Sequence, residues 1–149
     1  MSVLENIAFA SMFRTGRHSI AQAMRDAEQY LSITGLEGVA HRLPGNINLQ
    51  QRKFLELARA LATEPRILML DEVLTGLNPA EIHDSVAMIR RIHASNVTLL
   101  IVEHLMRVVR ELATRMVVLA QGQLLADGAP DTVMARDEVI RAYLGRQHA

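Results

Sequence analysis

Apolar residues along this chain recur first at helical and then at strand spacing, and the order of the two periods outlines a fold. Between Ser19 and Thr34, the residues Ile20, Ala23, Met24, Ala27, Tyr30 and Leu31 return at the spacing of one helix face. Ser19 is placed to cap this helix and Gly35 to stop it. After Pro44-Gly45, a second helix is expected from about Leu49 to Thr63, rich in Leu and Ala, with Glu56 and Arg59 on its surface. Together they predict a small helical subdomain over residues 1–63.

Glu64-Pro65 ends the helical period, and Ile67-Leu68-Met69-Leu70 follows as an unbroken apolar run, the pattern of a strand buried on both faces. The next helix is expected to begin at Pro79, a favourable first-turn residue, and to pass through Ile82, Val86, Ile89 and Ile92 before a second apolar run, Val97 to Val102. Strand, helix, strand is the rhythm of a βαβ unit, which makes residues 64–149 part of an α/β core. Farther on, Leu105, Val108, Val109 and Leu112 mark another helix. Met116 to Leu119 and Gln123 to Ala126 read as a hairpin around Gln121-Gly122, and Asp131 to Leu144 as a helical tail. The pattern holds no internal repeat and no low-complexity segment.

Composition narrows the partners. Sixteen basic residues balance sixteen acidic ones, so bulk charge does not steer the chain toward nucleic acid or an anionic surface. Aromatic residues are 3% of the chain and no basic patch interleaves with them, which also argues against nucleic-acid binding. With no cysteine there is no disulfide, thiolate metal site or cysteine nucleophile, and a reducing, cytoplasmic setting fits. No apolar run approaches the roughly 20 residues that cross a bilayer.

Chemistry concentrates where the first apolar run stops. Asp71 and Glu72 follow it directly, so two adjacent carboxylates emerge at the C-terminal end of a strand, where open α/β sheets place their ligands. One can hold Mg²⁺ through water while its neighbour polarises a water for attack on a phosphoryl group. A helix cap or a solvated acidic pair is the alternative. His104, just past the second run, is on its own a structural hydrogen-bonder as readily as a catalytic group.

Leu57-Ala58-Arg59-Ala60-Leu61-Ala62-Thr63-Glu64-Pro65, then Ile67-Leu68-Met69-Leu70-Asp71-Glu72 and Gly76-Leu77-Asn78-Pro79, resemble in order the ATP-binding subunits of ABC transporters. The likeness continues through Leu100-Ile101-Val102-Glu103-His104 to Val139-Ile140-Arg141-Ala142-Tyr143-Leu144-Gly145, and the Gly-Leu-Asn-Pro loop and the ending look most like subunits serving branched-chain amino acid uptake, with urea or amide importers close behind. The resemblance implies Asp71 as the Walker B magnesium carboxylate, Glu72 as the catalytic base and His104 as the switch histidine. It implies Thr75, Gly76, Leu77 and Asn78 as the dimer loop. Counting back from Ala-Arg-Ala-Leu places the signature, normally Leu-Ser-Gly-Gly-Gln, at Ile47-Asn48-Leu49-Gln50-Gln51, with Asn48, Leu49, Gln50 and Gln51 contacting the partner's nucleotide. Only Gln51 matches outright, and Leu49 and Gln50 stand where glycines normally let the backbone approach the phosphate. A capped helix start is the other reading of this segment.

The P-loop is absent from these residues: no Gly-x-x-x-x-Gly-Lys-Ser/Thr occurs, and Lys53, the only lysine, precedes Phe54 within the expected signature helix. Val3-Leu4-Glu5-Asn6-Ile7 resembles the segment just beyond the family's glutamine loop, so the sequence is expected to start mid-domain. The fold expected is thus a partial P-loop NTPase: a helical subdomain over 1–63, then over 64–149 the C-terminal half of the core sheet, with the P-loop strand missing and apolar sheet surface left open. The function implied is an ATP-hydrolysing subunit of an importer, inactive alone, with ATP and Mg²⁺ as cofactors. It would pair with a second ATPase subunit and membrane permeases on the inner face of the plasma membrane. The alternative is a non-catalytic interaction module that needs a P-loop-bearing partner. An unrelated α/β phosphohydrolase would leave the Gly-Leu-Asn-Pro and tail matches unexplained.

Overall fold

The computed structural model describes residues 1–13 and 19–144. Gly145, which ends the tail match, and the last five residues of the expected 64–149 domain lie outside the described residues. The chain divides into two compact units, Met1–Val102 and Glu103–Ala149.

The first unit contains α1 (Val3–Ser11), α2 (Ile20–Thr34), α3 (Leu49–Leu61), β1 (Ile67–Asp71), α4 (Pro79–Ala94) and β2 (Thr98–Val102). Of these, α1 was not expected. Its start is a capping box: Ser2 Oγ accepts from Glu5 N–H, and the Glu5 carboxylate accepts from Ser2 N–H at 2.6 Å. The Ser2 backbone N–H, and after it the Ser2 hydroxyl, hold the Glu5 carboxyl below its usual range. Val3 and Ile7 of α1 are fully buried where the helix packs on α2 and α3. Ser19 occupies the cap position of α2 with extended backbone but makes no side-chain cap bond, and Gly35 stops the helix with φ 67°. Within the first unit α2 packs against α4. Arg91 Nε donates to Ile33 O across that packing, at 3.3 Å.

Strands β1 and β2 pair in parallel, from Ile67 opposite Thr98 to Asp71 opposite Val102. Here the expectation of two buried faces is corrected. Leu68 and Leu70 are buried, whereas Ile67 and Met69 are 63% and 69% exposed. The physical reason is that successive side chains of a strand point to opposite faces, and among the described residues only the face carrying Leu68 and Leu70 is covered. Met69 and its register partner Leu100 share the open face with Val102, leaving the apolar sheet surface that the sequence leads one to expect. Leu70, Ile89 and Ile92 fill the core, and burying each stabilises the unit by about 1.5–3 kcal/mol.

The second unit contains α5 (Met106–Leu112), β3 (Met116–Ala120), β4 (Gln123–Gly128), α6 (Pro130–Met134) and α7 (Asp137–Leu144). β3 and β4 form the expected hairpin, and Gln121 and Gly122 both take positive φ, as a two-residue turn that follows strand twist requires. Met116, Val118, Ala126, Val133 and Val139 make its core. Arg115 binds Asp127 at 2.6 Å and, through that hydrogen bond, holds the carboxyl below its usual range. The tail is two helices rather than one, since Ala135 and Arg136 N–H groups fold back on Asp131 and Val133 carbonyls and close α6. Among the described residues, no helix is long and apolar enough to cross a membrane.

Candidate functional site

Asp71 closes β1 opposite Val102, with its side chain exposed at the strand's C-terminal end. Glu72 follows, and its N–H donates to Val102 O at 2.9 Å, extending the ladder by one bond. Its φ is +46°, a left-handed conformation that costs a side-chain-bearing residue about 1–2 kcal/mol. Strain of this kind is kept where the surroundings over-determine a residue, and it collects at functional sites. The chain then turns twice, with Thr75 N–H to Glu72 O at 3.1 Å and Leu77 N–H to Leu74 O at 3.2 Å. Leu74, 2% exposed, anchors the loop, and Gly76 supplies φ +81°. A Cβ on Gly76 would meet Leu49 Cδ2 at an ordinary 3.5 Å, so backbone conformation rather than space demands glycine.

Asn78 ends the loop by capping α4. Its Oδ1 accepts from Ala80 and Glu81 N–H at 3.0 Å, and Glu81 returns a carboxylate to Asn78 N–H at 2.8 Å. With Pro79 at the first helical position, this is a fully specified start; such a cap contributes about 1 kcal/mol. The Thr75–Asn78 segment is therefore held at both ends.

At the other wall lies the first turn of α3. Asn48 Oδ1 accepts from Gln51 N–H at 2.8 Å, and Gln51 Oε1 accepts from Asn48 N–H at 3.1 Å, a capping box. Leu49 is 46% exposed, and Gln50 Nε2 donates to Glu81 O at 3.3 Å. Lys53, one turn on, donates from Nζ to Val73 O at 2.9 Å and Thr75 O at 2.6 Å. Sequence reasoning placed Lys53 on this helix but missed the tie; a lone lysine in an arginine-rich chain was its one visible signal. Between α3 and the end of β1 a shallow depression of about 250 Å³ is lined by Lys53, Glu56, Ala60, Met69, Asp71 and Glu72.

The structure thus brings Asn48–Gln51, Asp71, Glu72 and Thr75–Asn78 into one unit. His104 lies in the other unit, exposed, with Nδ1 4.0 Å from the Glu103 carboxylate, whose side chain is buried. No cluster of three metal-ligating side chains occurs among the described residues. The donor set fits Mg²⁺ held mostly by phosphate and water with one carboxylate, the usual habit of that ion at nucleotides, and not an all-protein cage. It offers no ammonium to the β and γ phosphates, because Lys53 Nζ is committed to two loop carbonyls.

Residues 123–149 match the family model described as branched-chain amino acid ATP-binding cassette transporter. The chain is 42% identical over 139 residues to the high-affinity branched-chain amino acid transport ATP-binding protein BraF of Pseudomonas aeruginosa, a match covering 91% of this chain and 54% of that one. It is 36% identical to the corresponding LivG protein of Salmonella typhi, covering 97% of this chain and 62% of LivG. The chain spans little more than half the length of these curated relatives. Among solved structures, the ADP conformation of MJ1267, an ATP-binding cassette of an ABC transporter, superposes with TM-score 0.81 at 25% identity, over 97% of this chain and 63% of that one. The fold is accordingly that of part of an ABC ATPase cassette.

Proposed function

We propose, for a chain that resembles the C-terminal portion of a branched-chain amino acid ABC transporter ATP-binding subunit, that it supplies the carboxylate and switch half of a MgATP-hydrolysing site. The observation that carries this reading is the Asp71-Glu72 pair at the open end of β1, in a loop held by α3 on one side and by the Asn78 cap on the other. The relatives' names support uptake of branched-chain amino acids as the work being driven.

Bound MgATP would supply the electrophilic γ-phosphoryl group and a metal that neutralises its charge. From the strand end, Asp71 would hold Mg²⁺ through water. Glu72 accepts the proton of the attacking water at its carboxylate, and its backbone, tied to Val102 O, limits where that carboxylate can swing. His104 donates a hydrogen bond toward the phosphoryl oxygens. Asn48, Leu49, Gln50 and Gln51 present the start of α3 to nucleotide on a second ATPase subunit, where free N–H groups and the helix dipole favour phosphate. Thr75, Gly76, Leu77 and Asn78 form the loop between the two sites. Residues outside these 149 bring the P-loop, and the open face carrying Met69, Leu100 and Val102 is where such a layer packs. Permease subunits in the membrane receive the stroke, with this chain peripheral on the cytoplasmic side.

The test joins this chain to the unmatched part of the Pseudomonas aeruginosa relative, taken to carry the P-loop, and titrates Mg²⁺ against nucleotide binding. Asp71→Asn is expected to raise the half-saturating Mg²⁺ about tenfold. An unchanged requirement would remove Asp71 from the metal site. A second reading, an interaction module without turnover, is favoured by the engagement of the only lysine with Val73 and Thr75; it predicts nucleotide-independent docking and no hydrolysis in the same assembly.

A further inference from the structure

We propose that Lys53 is a positioning residue that brackets the carboxylate loop to α3 and so sets the direction of Glu72. The inference rests on the ATPase reading for its effect on turnover, but the bracket itself stands on geometry. Lys53 Nζ reaches two carbonyls of one loop, Val73 O at 2.9 Å and Thr75 O at 2.6 Å, which flank Leu74 immediately after Glu72. A single ammonium bonded to two carbonyls two positions apart forces both to point the same way. That arrangement favours the tight turn in which Thr75 N–H returns to Glu72 O. Each such charged hydrogen bond is stronger than a neutral one.

The loop needs such a restraint. Glu72 is held at φ +46° and Gly76 at +81°, two left-handed positions within five residues. Together with the Glu72 N–H bond to Val102 O, the Lys53 bonds oppose relaxation toward ordinary backbone, which would carry the Glu72 carboxylate away from the end of β1. Leu49 Cδ2 faces the space that a Cβ on Gly76 would occupy, and Gln50 Nε2 donates to Glu81 O in the first turn of α4 at 3.3 Å, so α3 is also tied to the helix that the loop leads into. The first turns of α3 and the loop from Glu72 to Asn78 are thus one mechanical piece. A displacement of the α3 N-terminus, as on closing against a partner's nucleotide, is delivered through Lys53 to the backbone beside the base.

Lys53→Met removes the donors and keeps much of the stem, while Lys53→Arg keeps donors. In the 149-residue chain, hydrogen exchange of the Thr75 and Leu77 amides is expected to quicken about tenfold in Lys53→Met, with α2 amides unchanged and Lys53→Arg close to the parent. In the P-loop-completed chain, kcat falls about tenfold while KM for ATP stays within about twofold, and Lys53→Arg recovers at least about half of kcat. Unchanged exchange at Thr75 and Leu77 overturns the bracket, and a loss of protection spread equally over α2 overturns the positioning role. Absence of turnover in the completed parent chain defeats the ATPase reading instead, and the exchange result then decides the bracket alone.

Discussion

Replacing Glu72 by Gln lowers MgATP turnover of the P-loop-completed chain by about 10²–10³-fold and leaves nucleotide affinity within about threefold. The substitution is nearly isosteric. It keeps the N–H that donates to Val102 O and asks nothing new of a backbone already at φ +46°. What disappears is the acceptor for the water's proton, so the loss falls on the chemical step and not on binding. Single-turnover hydrolysis with equilibrium nucleotide binding separates the two. If turnover survives within a few-fold, Glu72 is not the base and its strained backbone serves the loop alone.

His104→Ala is expected to cost about 10²-fold in turnover, the size of losing one donor to a transition-state oxygen, with binding weakened only a few-fold. His104 is 56% exposed, so truncating it leaves no core cavity, and the thermal midpoint should not move. A structural histidine behaves in the opposite manner: stability and binding fall together. Kinetics and a melting curve on the same preparation distinguish the roles, and equal losses in kcat and affinity would demote His104 to a scaffold residue.

Much of the fold was legible in the sequence. α2, α3 and α4 announce themselves by helical spacing with Gly35, Asn48 and Asn78-Pro79 at their ends, and the hairpin by Gln121-Gly122. α1 was not legible, since Val3, Leu4, Ile7, Ala8 and Ala10 are all buried and the helix shows little polar face to set a period. An apolar run such as Ile67 to Leu70 records that a strand prefers cover on both faces, but not which layers are there to provide it. The split of the tail escaped because neither Ala135 nor Arg136 is a residue that breaks helices by itself.

At the site, the adjacency of Asp71 and Glu72 to a strand end could be read directly, because a buried strand and the ligand position beyond it are both encoded locally. The capping boxes of Asn48 and Asn78 follow from residues three apart. The Lys53 tie could not be read, since it joins a side chain to carbonyls 20 and 22 positions away and leaves no periodic trace.

The most direct test measures MgATP hydrolysis by this chain alone and by the same chain joined to the P-loop-bearing part of its Pseudomonas aeruginosa relative. The account predicts no turnover above background for the first and Glu72-dependent turnover for the second. Hydrolysis by the chain alone, or none by the completed chain, would contradict it.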